Sequence, residues 1–119
     1  MITVVLADDH PVVRAGIRNE LAQYEDIAVV GEAADSEEVL LLVGQTQPSV
    51  ALLDCRLPGG LDGITVARRI HSAGWPTRVI ALSAYDDEEL MYGMWRAGAV
   101  GYILKQEALE QIVEAVRQA

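Results

Sequence analysis

The chain of 119 residues is long enough for one compact domain, residues 1–119, and its hydrophobic content of 51% is ample for a core. Eighteen acidic against nine basic residues give a formal net charge of −9, which argues against binding of nucleic acid or of an anionic membrane by this segment. Cys55 is the only cysteine, so an internal disulfide and a cysteine-based metal cage are both excluded.

The N-terminal segment and the apolar runs predict a cytoplasmic protein. Met1–Val4 has neither the charged region nor the small-residue cleavage site of a secretory signal. The longest apolar runs, such as Val39–Val43, are far too short to span a bilayer.

Five short runs rich in apolar residues predict β-strands. They are Ile2–Ala7, Ile27–Ala33, Ser49–Asp54, Thr77–Leu82 and Val100–Leu104. Four of them are nearly continuous apolar stretches, as expected of strands that are buried on both faces. The second run carries Glu32, which favours a position at the edge of the sheet.

The segments between these runs predict helices. Pro11 suits the first turn of the first helix, one face of which is apolar. That face carries Val13, Ile17, Leu21 and Tyr24. Asp35 and Glu38 have the spacing of a capping box at the start of the second helix. The apolar run Val39–Val43 within it could equally form a strand, so the prediction of this helix depends on the cap.

Capping signals and periodicity also predict the last three helices. The third begins after Asp62 and ends near Gly74. Asp86 and Glu89 have capping-box spacing at the start of the fourth, which ends near Gly98. The inward positions of the third helix are Ile64, Ala67 and Ile70, and those of the fifth are Leu109, Ile112, Val113 and Val116.

Strand and helix alternate five times, which predicts an α/β fold, a single doubly wound (βα)5 domain with a parallel sheet and right-handed crossovers. Sites in such folds lie at the carboxyl ends of the strands. At those ends the sequence places Asp8, Asp9, Asp54, Ser83 and Lys105. These five residues are therefore the candidate site.

Three carboxylates at one edge of a sheet favour a cation site. Bringing Asp8, Asp9 and Asp54 within about 5 Å of one another costs roughly 3 kcal/mol per pair at an effective dielectric constant near 20. A divalent cation would offset that repulsion, and hard oxygen ligands without a nearby histidine or cysteine select Mg²⁺ or Mn²⁺ over zinc. Each feature alone has a simpler interpretation, in which Asp8 and Asp9 cap the first helix and Lys105 is a surface residue. The five together favour a site.

The same residues argue against two other kinds of site on this fold. A flavin or dinucleotide site needs glycines and backbone amides after the first strand to bind phosphate, whereas this chain has Asp8-Asp9-His10-Pro11. A phosphatase of the haloacid dehalogenase type needs a second aspartate two places after its nucleophile, and Arg56 occupies that place.

Over its whole length the chain resembles the receiver domain of bacterial response regulators. The matching segments are Asp8-Asp9, Asp54 with Leu57-Pro58 beyond it, Ser83-Ala84 and Gly101-Tyr102-Ile103-Leu104-Lys105. Leu6–Gly16 and Val30–Ala33 further resemble the NarL/FixJ subfamily of LuxR-type regulators. The resemblance implies a flavodoxin-like, five-stranded parallel sheet of strand order 2-1-3-4-5.

The resemblance also implies a role for each residue of the site. Asp54 would be the phosphoacceptor, attacking a phosphohistidine of a sensor histidine kinase. Mg²⁺ (or Mn²⁺) would be held by Asp9, Asp54 and the backbone carbonyl of Arg56, and by Asp8 through water. Lys105 and the Ser83 hydroxyl would bind phosphoryl oxygens. Tyr102 would be the switch aromatic that turns inward as Ser83 moves, although it could also be an amphipathic edge residue.

Some features depart from the usual receiver pattern or leave two interpretations open. The loop Pro58–Gly63 is one residue longer than usual. Cys55, beside the phosphoacceptor, is more typical of a buried structural thiol than of a redox sensor. Arg56 and Tyr85 follow Asp54 and Ser83 by two positions each. We hypothesise that these two bulky side chains shield the acyl phosphate from water.

The fourth helix carries more apolar residues than one face can bury: Met91, Tyr92, Met94 and Trp95. Some could pack inward. The other interpretation is an output surface, in which the fourth helix, fifth strand and fifth helix meet an output domain or form a homodimer. His10 and His71 have no partner ligands in the sequence, so we expect His10 to be a loop residue and His71 to lie on a helix surface.

The sequence therefore predicts a phosphorylation-driven switch and not an enzyme, apart from assistance to its own Mg²⁺-dependent phosphorylation and dephosphorylation. NarL/FixJ-like proteins usually add a DNA-binding domain that regulates transcription, and the resemblance favours a truncated transcription factor over a stand-alone receiver. A pseudo-receiver would have lost an acidic residue or the lysine, and both are present. A metal-dependent hydrolase would need a dedicated base, which the sequence does not offer.

Overall fold

The computed structural model describes residues 1–107 and 109–119, in which five strands and five helices alternate. The strands are β1 (Ile2–Ala7), β2 (Ile27–Ala33), β3 (Val50–Asp54), β4 (Arg78–Ser83) and β5 (Gly101–Leu104). The helices are α1 (Pro11–Leu21), α2 (Ser36–Thr46), α3 (Gly63–Ser72), α4 (Glu88–Arg96) and α5 (Leu109–Gln118). The apolar run Val39–Val43 lies within α2, which settles its ambiguity in favour of a helix.

The strands form one parallel sheet in the order β2-β1-β3-β4-β5, which confirms the predicted α/β topology. β2 lies at an edge, as Glu32 suggested. The last three strands each begin one residue later than predicted, and β4 extends to Ser83. Side-chain hydrogen bonds occupy the predicted start of β3, where the backbone N–H of Ser49 donates to Thr3 Oγ1 at 2.9 Å.

Alternating strand residues form two hydrophobic clusters on opposite faces of the sheet. Val4 and Leu6 of β1 pack with residues of α1 and α5. Val5 and Ala7 pack with residues of α2, α3 and α4. Because both faces of the central strands are covered by helices, the exposed edge at their carboxyl ends is where polar side chains of the strands can gather.

The N-terminal caps of α2 and α3 are the predicted residues, and that of α4 is not. Asp35 Oδ1 accepts a hydrogen bond from the Glu38 amide at 2.8 Å. The predicted cap of α4, Asp86, is wrong: Asp87 Oδ1 accepts from the Glu89 amide at 3.0 Å, and the helix begins at Glu88. An aspartate can cap the amide two or three positions onward, so the sequence does not specify which of two consecutive aspartates is the N-cap.

The Asp62 cap of α3 gives a prediction for stability. Asp62 Oδ1 accepts from the Thr65 amide at 2.7 Å, and this hydrogen bond holds the pKa of Asp62 below its ordinary value of 3.8. We expect Asp62→Ala to lower the free energy of unfolding by about 1 kcal/mol at neutral pH. A depressed pKa stabilises the fold above the unfolded-state pKa, and this contribution is lost as the pH falls through the folded-state value.

Urea unfolding of the wild-type protein and Asp62→Ala, at neutral and at acid pH, measures this contribution. The two proteins should converge in acid. Asp62→Asn keeps an acceptor oxygen and is the control, which should retain most of the stability at neutral pH. Equal losses in both variants would contradict the capping role.

The loop between β3 and α3 is held by the first residue of α2. The Ser36 amide donates to the Pro58 carbonyl at 2.9 Å, and Ser36 Oγ accepts from the Leu61 amide at 3.2 Å. Gly59 has φ +113°, and a Cβ there would collide with Ser36 Oγ. Gly59 and Gly60 therefore lie between two residues, Pro58 and Leu61, whose backbone groups are hydrogen-bonded to Ser36.

No helix among the described residues is both long and apolar enough to cross a membrane.

Candidate functional site

Three of the predicted residues converge at the carboxyl edge of the sheet. Asp54 is the last residue of β3, Asp8 follows β1 and Lys105 follows β5. Lys105 Nζ lies 2.6 Å from Asp54 Oδ2 and 2.9 Å from Asp8 Oδ2. The side chains of Asp54 and Asp8 are buried, with exposed fractions of 4% and 0%, and that of Lys105 is partly buried, with an exposed fraction of 11%. The lysine therefore points at the aspartates, as the sequence predicted.

Burial and charge shift the pKa values of this pair. Burial raises the pKa of Asp54 above its ordinary value, and the nearby Asp8 carboxylate adds to this, although Lys105 and the Arg56 amide act in the opposite direction. Burial disfavours the charged form of Lys105, but its hydrogen bonds with Asp54 and Asp8 outweigh that effect and raise its pKa. The raised pKa of Lys105 thus favours its ammonium form beside Asp54 and Asp8.

The acidic cluster has oxygens suited to a cation. One potential ligand atom each from Asp8, Asp9, His10 and Asp54 lies within 4.8 Å of the others. Asp8 Oδ2 and Asp9 Oδ1 are buried; Asp8 Oδ2 lies 2.9 Å from Lys105 Nζ, and Asp9 Oδ1 lies 3.2 Å from His10 Nδ1. Three carboxylates so close together repel one another, so this oxygen-rich donor set fits a small hard cation such as Mg²⁺.

His10 is a loop residue, as expected, but it belongs to this cluster, which corrects the expectation that it has no partners. Its Nδ1 lies 3.1 Å from Asp8 Oδ1, 3.2 Å from Asp9 Oδ1 and 3.4 Å from Lys105 Nζ. The prediction that no histidine lies near the carboxylates is therefore wrong. His10 occupies the N-cap of α1. Its position directly after the aspartate pair was the available signal.

Ser83 and Tyr102 share one hydrogen-bond acceptor. Ser83 Oγ donates to the Tyr85 carbonyl at 2.9 Å, and the Tyr102 hydroxyl donates to the same carbonyl at 3.0 Å. Ser83 Oγ also accepts from the Tyr85 amide at 3.1 Å. Ser83 is buried at the end of β4. Its hydroxyl is therefore hydrogen-bonded to the loop after β4, and the structure does not bring it into contact with the aspartates.

Arg56 and Tyr85 form a contact next to the phosphoacceptor candidate. The Arg56 amide donates to Asp54 Oδ1 at 3.0 Å, so its backbone lies beside the carboxylate. The Arg56 guanidinium carbon lies 5.1 Å from the centre of the Tyr85 ring, within the range of a cation–π interaction. Both side chains line a depression that also includes Asp86 and Asp87. The two loops after β3 and β4 are thus in contact through these side chains.

We expect the Cys55 thiol to be unreactive in the folded protein. Cys55 is 4% exposed, and burial raises its pKa to about 12, so little thiolate exists at neutral pH. Iodoacetamide followed by intact mass measurement should show modification only when denaturant is added. Rapid alkylation of the folded protein would contradict this and would favour the redox-sensor interpretation.

Comparison with known proteins decides the family. A family model described as the response regulator receiver domain matches residues 4–117. The chain belongs to this family. It is a receiver domain of a two-component response regulator, and such domains are not enzymes in the usual sense.

Similar proteins also confirm the NarL-type subfamily. The receiver is 42% identical to the transcriptional regulatory protein YxjL of Bacillus subtilis over 99% of this chain and 54% of that protein. It is 41% identical to the oxygen regulatory protein NreC of Staphylococcus carnosus over 96% of this chain and 52% of that protein. The signal receiver domain of NarL from Mycobacterium tuberculosis has a TM-score of 0.94 and 41% identity, with 98% of this chain and 94% of that chain covered. The receiver spans about half the length of the curated relatives it matches.

Proposed function

We propose that Asp54 accepts a phosphoryl group from a phosphohistidine of a sensor histidine kinase, with Mg²⁺ or Mn²⁺ bound at the acidic cluster. The observation that supports this most directly is the position of Lys105 Nζ, 2.6 Å from Asp54 and 2.9 Å from Asp8. A buried ammonium beside a buried carboxylate is suited to phosphoryl transfer, in which catalysis consists mainly of positioning and charge stabilisation.

The proposed transfer is a nucleophilic displacement at phosphorus. An oxygen of the Asp54 carboxylate attacks the phosphorus and forms the new O–P bond. The P–N bond to the kinase histidine breaks, its electron pair stays on the imidazole nitrogen, and that nitrogen takes up a proton from solvent. The product is an acyl phosphate on Asp54. Lys105, whose pKa is raised by its hydrogen bonds with Asp54 and Asp8 in spite of burial, remains charged and binds a phosphoryl oxygen.

The metal ligands would be Asp9, Asp54 and the backbone carbonyl of Arg56, with Asp8 binding through water. A carboxylate oxygen of Asp9 lies within 4.8 Å of potential ligand atoms of Asp8 and Asp54, which supports Asp9 as a ligand. When bound, the cation would supply positive charge that neutralises the carboxylates and the transferred phosphoryl group.

Ser83 and Tyr102 would report the phosphorylation. When the Ser83 hydroxyl donates to a phosphoryl oxygen, it leaves the Tyr85 carbonyl to which it now donates. The Tyr102 hydroxyl donates to that same carbonyl, so a movement of the loop after β4 changes the hydrogen bonding of Tyr102 as well. We infer that Tyr102 turns inward as part of this change, which couples the site to the surface of β5.

The test is incubation with acetyl phosphate or phosphoramidate and Mg²⁺, followed by intact mass measurement. We expect one added phosphoryl group on the wild-type protein and none on Asp54→Asn or in the presence of EDTA. No addition to the wild-type protein would indicate a pseudo-receiver, and continuous release of phosphate without a stable adduct would indicate a hydrolase. Either of these outcomes would contradict the proposal.

We further propose that the receiver controls an output domain that binds DNA and regulates transcription, in the cytoplasm where the chromosome lies. The support is the length of the curated relatives, which are named as transcriptional regulators and extend well beyond the matched segment. A stand-alone receiver is the alternative. The receiver's own charge of −9 argues against direct contact with nucleic acid.

The proposed output surface is formed by α4, β5 and α5. Met94 packs inward, but Met91, Tyr92 and Trp95 are exposed, the last at 64%. Phosphorylation should change Trp95 fluorescence or the mass measured by light scattering, where an increase would indicate a homodimer. Trp95→Phe distinguishes its signal from that of Trp75. No change in either measurement would contradict this surface.

A further inference from the structure

Besides the contacts of its carboxylate with Lys105 Nζ and His10 Nδ1, three hydrogen bonds hold Asp8 in place. Its amide donates to the Ala33 carbonyl at 3.0 Å, and its carboxylate Oδ1 accepts from the His10 amide at 2.8 Å. Its carbonyl accepts from Arg14 Nη1 at 2.8 Å. The first two bonds come from the backbone of neighbouring segments. The third is made by a charged side chain from α1, and nothing in the proposed phosphoryl transfer uses this side chain.

Arg14 is itself held at its other end. Its Nε lies 3.2 Å from Glu32 Oε1 on the edge strand β2, and its side chain is 24% exposed. Arg18, one turn further along α1, contacts the same carboxylate through Nη1 at 3.2 Å. Arg14 therefore bridges the turn after β1 and the edge of the sheet, whereas Arg18 contacts the edge alone. A planar guanidinium can make both contacts at once because its donors have a fixed geometry.

The Asp8 carbonyl matters because it belongs to the peptide unit that leads into Asp9. A peptide unit is planar, so a hydrogen bond to its carbonyl oxygen also fixes the orientation of the Asp9 N–H and Cα. Asp9 Oδ1 is buried and lies 3.2 Å from Nδ1 of His10, whose side chain is 64% exposed, so this contact fixes the Asp9 side chain less firmly than a hydrogen bond to the backbone would. The direction of this proposed metal ligand depends on the backbone that carries it.

We propose that Arg14 is a positioning residue for the metal site, which orients the Asp8–Asp9 peptide so that Asp9 faces the cation. The inference rests on the proposed function, because it assumes that the acidic cluster binds Mg²⁺. Removal of a residue that orients a metal ligand through hydrogen bonds commonly weakens metal binding by about tenfold or more.

Electrostatics alone predicts the opposite effect. Arg14 carries a positive charge near the acidic cluster, so its removal would tighten Mg²⁺ binding if its role were only to neutralise carboxylates. Loss of positioning would weaken Mg²⁺ binding. The sign of the change in affinity therefore separates the two roles.

The experiment measures the Mg²⁺ dissociation constant by calorimetry for the 119-residue wild-type chain, Arg14→Met and Arg18→Met, with Arg14→Gln as a second variant. Arg18→Met is the matched control, since it makes the same change of charge on the same helix and at the same Glu32 but leaves the Asp8 carbonyl bond intact. We expect the constant to rise about tenfold in both Arg14 variants and to stay within about twofold in Arg18→Met.

A second measurement follows the orientation of the Asp8–Asp9 peptide directly. In a ¹⁵N–¹H correlation spectrum without metal, the Asp9 amide signal should shift in the Arg14 variants and not in Arg18→Met. Unchanged or tighter Mg²⁺ binding in the Arg14 variants would overturn the positioning role of Arg14 but not the proposed function. An equal weakening in Arg18→Met would also overturn it. Failure of the wild-type chain to bind Mg²⁺ would overturn this inference together with the proposed function.

Discussion

Lys105→Met should lower the free energy of unfolding of the metal-free protein by about 3 kcal/mol, because it leaves buried carboxylates without their counter-ion. The side chains of Asp8 and Asp54 are 0% and 4% exposed, so water would solvate their carboxylates poorly in place of the ammonium. Mg²⁺ should restore part of the loss, since a ligand that binds only the folded state stabilises it by mass action. Urea unfolding with and without Mg²⁺ measures both effects.

The pH dependence of this contribution has a defined sign. The pKa of Lys105 is raised above its ordinary value of 10.5 by its hydrogen bonds with Asp54 and Asp8, which outweigh the opposing effect of burial. The ammonium therefore stabilises the fold below the ordinary value, and its contribution is lost as the pH rises through the folded-state pKa. Lys105→Arg keeps the charge and is the control, which should retain most of the stability while transferring phosphate more slowly. Equal stability of Lys105→Met and wild type would contradict a buried ion pair.

Arg56→Ala and Tyr85→Ala should each shorten the lifetime of the phosphorylated protein. The Arg56 amide donates to Asp54 Oδ1, and the Arg56 guanidinium carbon lies 5.1 Å from the centre of the Tyr85 ring. We expect the removal of either side chain to open the path that water takes to the acyl phosphate. We expect hydrolysis about tenfold faster, which corresponds to a barrier lower by about 1.4 kcal/mol.

The chain offers a matched control for this prediction. Arg96 lies over the ring of Tyr92 at 5.7 Å, in a similar cation–π contact on the exposed surface of α4. Arg96→Ala and Tyr92→Ala should leave the rate of hydrolysis unchanged. The rates follow from the decay of the added phosphoryl mass after removal of the phosphodonor by desalting. Identical lifetimes in wild type, Arg56→Ala and Tyr85→Ala would rule out shielding.

The meeting of Asp54 and Lys105 could be predicted from the sequence because it depends on topology. In a parallel sheet the carboxyl ends of all strands lie at one edge, so residues that end apolar runs must come together whatever their rotamers. The same argument placed Asp8 at this edge. It needed only the alternation of apolar runs with helical segments, and the structure confirms that alternation.

Contacts that depend on side-chain direction could not be predicted in this way. The side chain of His10, the N-cap residue of α1, contacts both aspartates, and its position before Pro11 does not specify that direction. Arg14 reaches a carbonyl oxygen six residues earlier in the chain, and every residue has such an acceptor. The cap of α4 depended on which of two adjacent aspartates adopts the extended backbone of a cap.

The surroundings of Lys105 also allow rearrangements of the site to be followed by chemical labelling. Lys105 is the only lysine of the sequence, and the other primary amine is the α-amino group of the exposed Met1. An acylating reagent applied to the folded chain should therefore modify the terminus quickly and Lys105 slowly, because an amine held against two carboxylates at 2.6 and 2.9 Å is a poor nucleophile. The extent of labelling at Lys105, read from peptide masses, would follow the rearrangement of the site without an engineered tag.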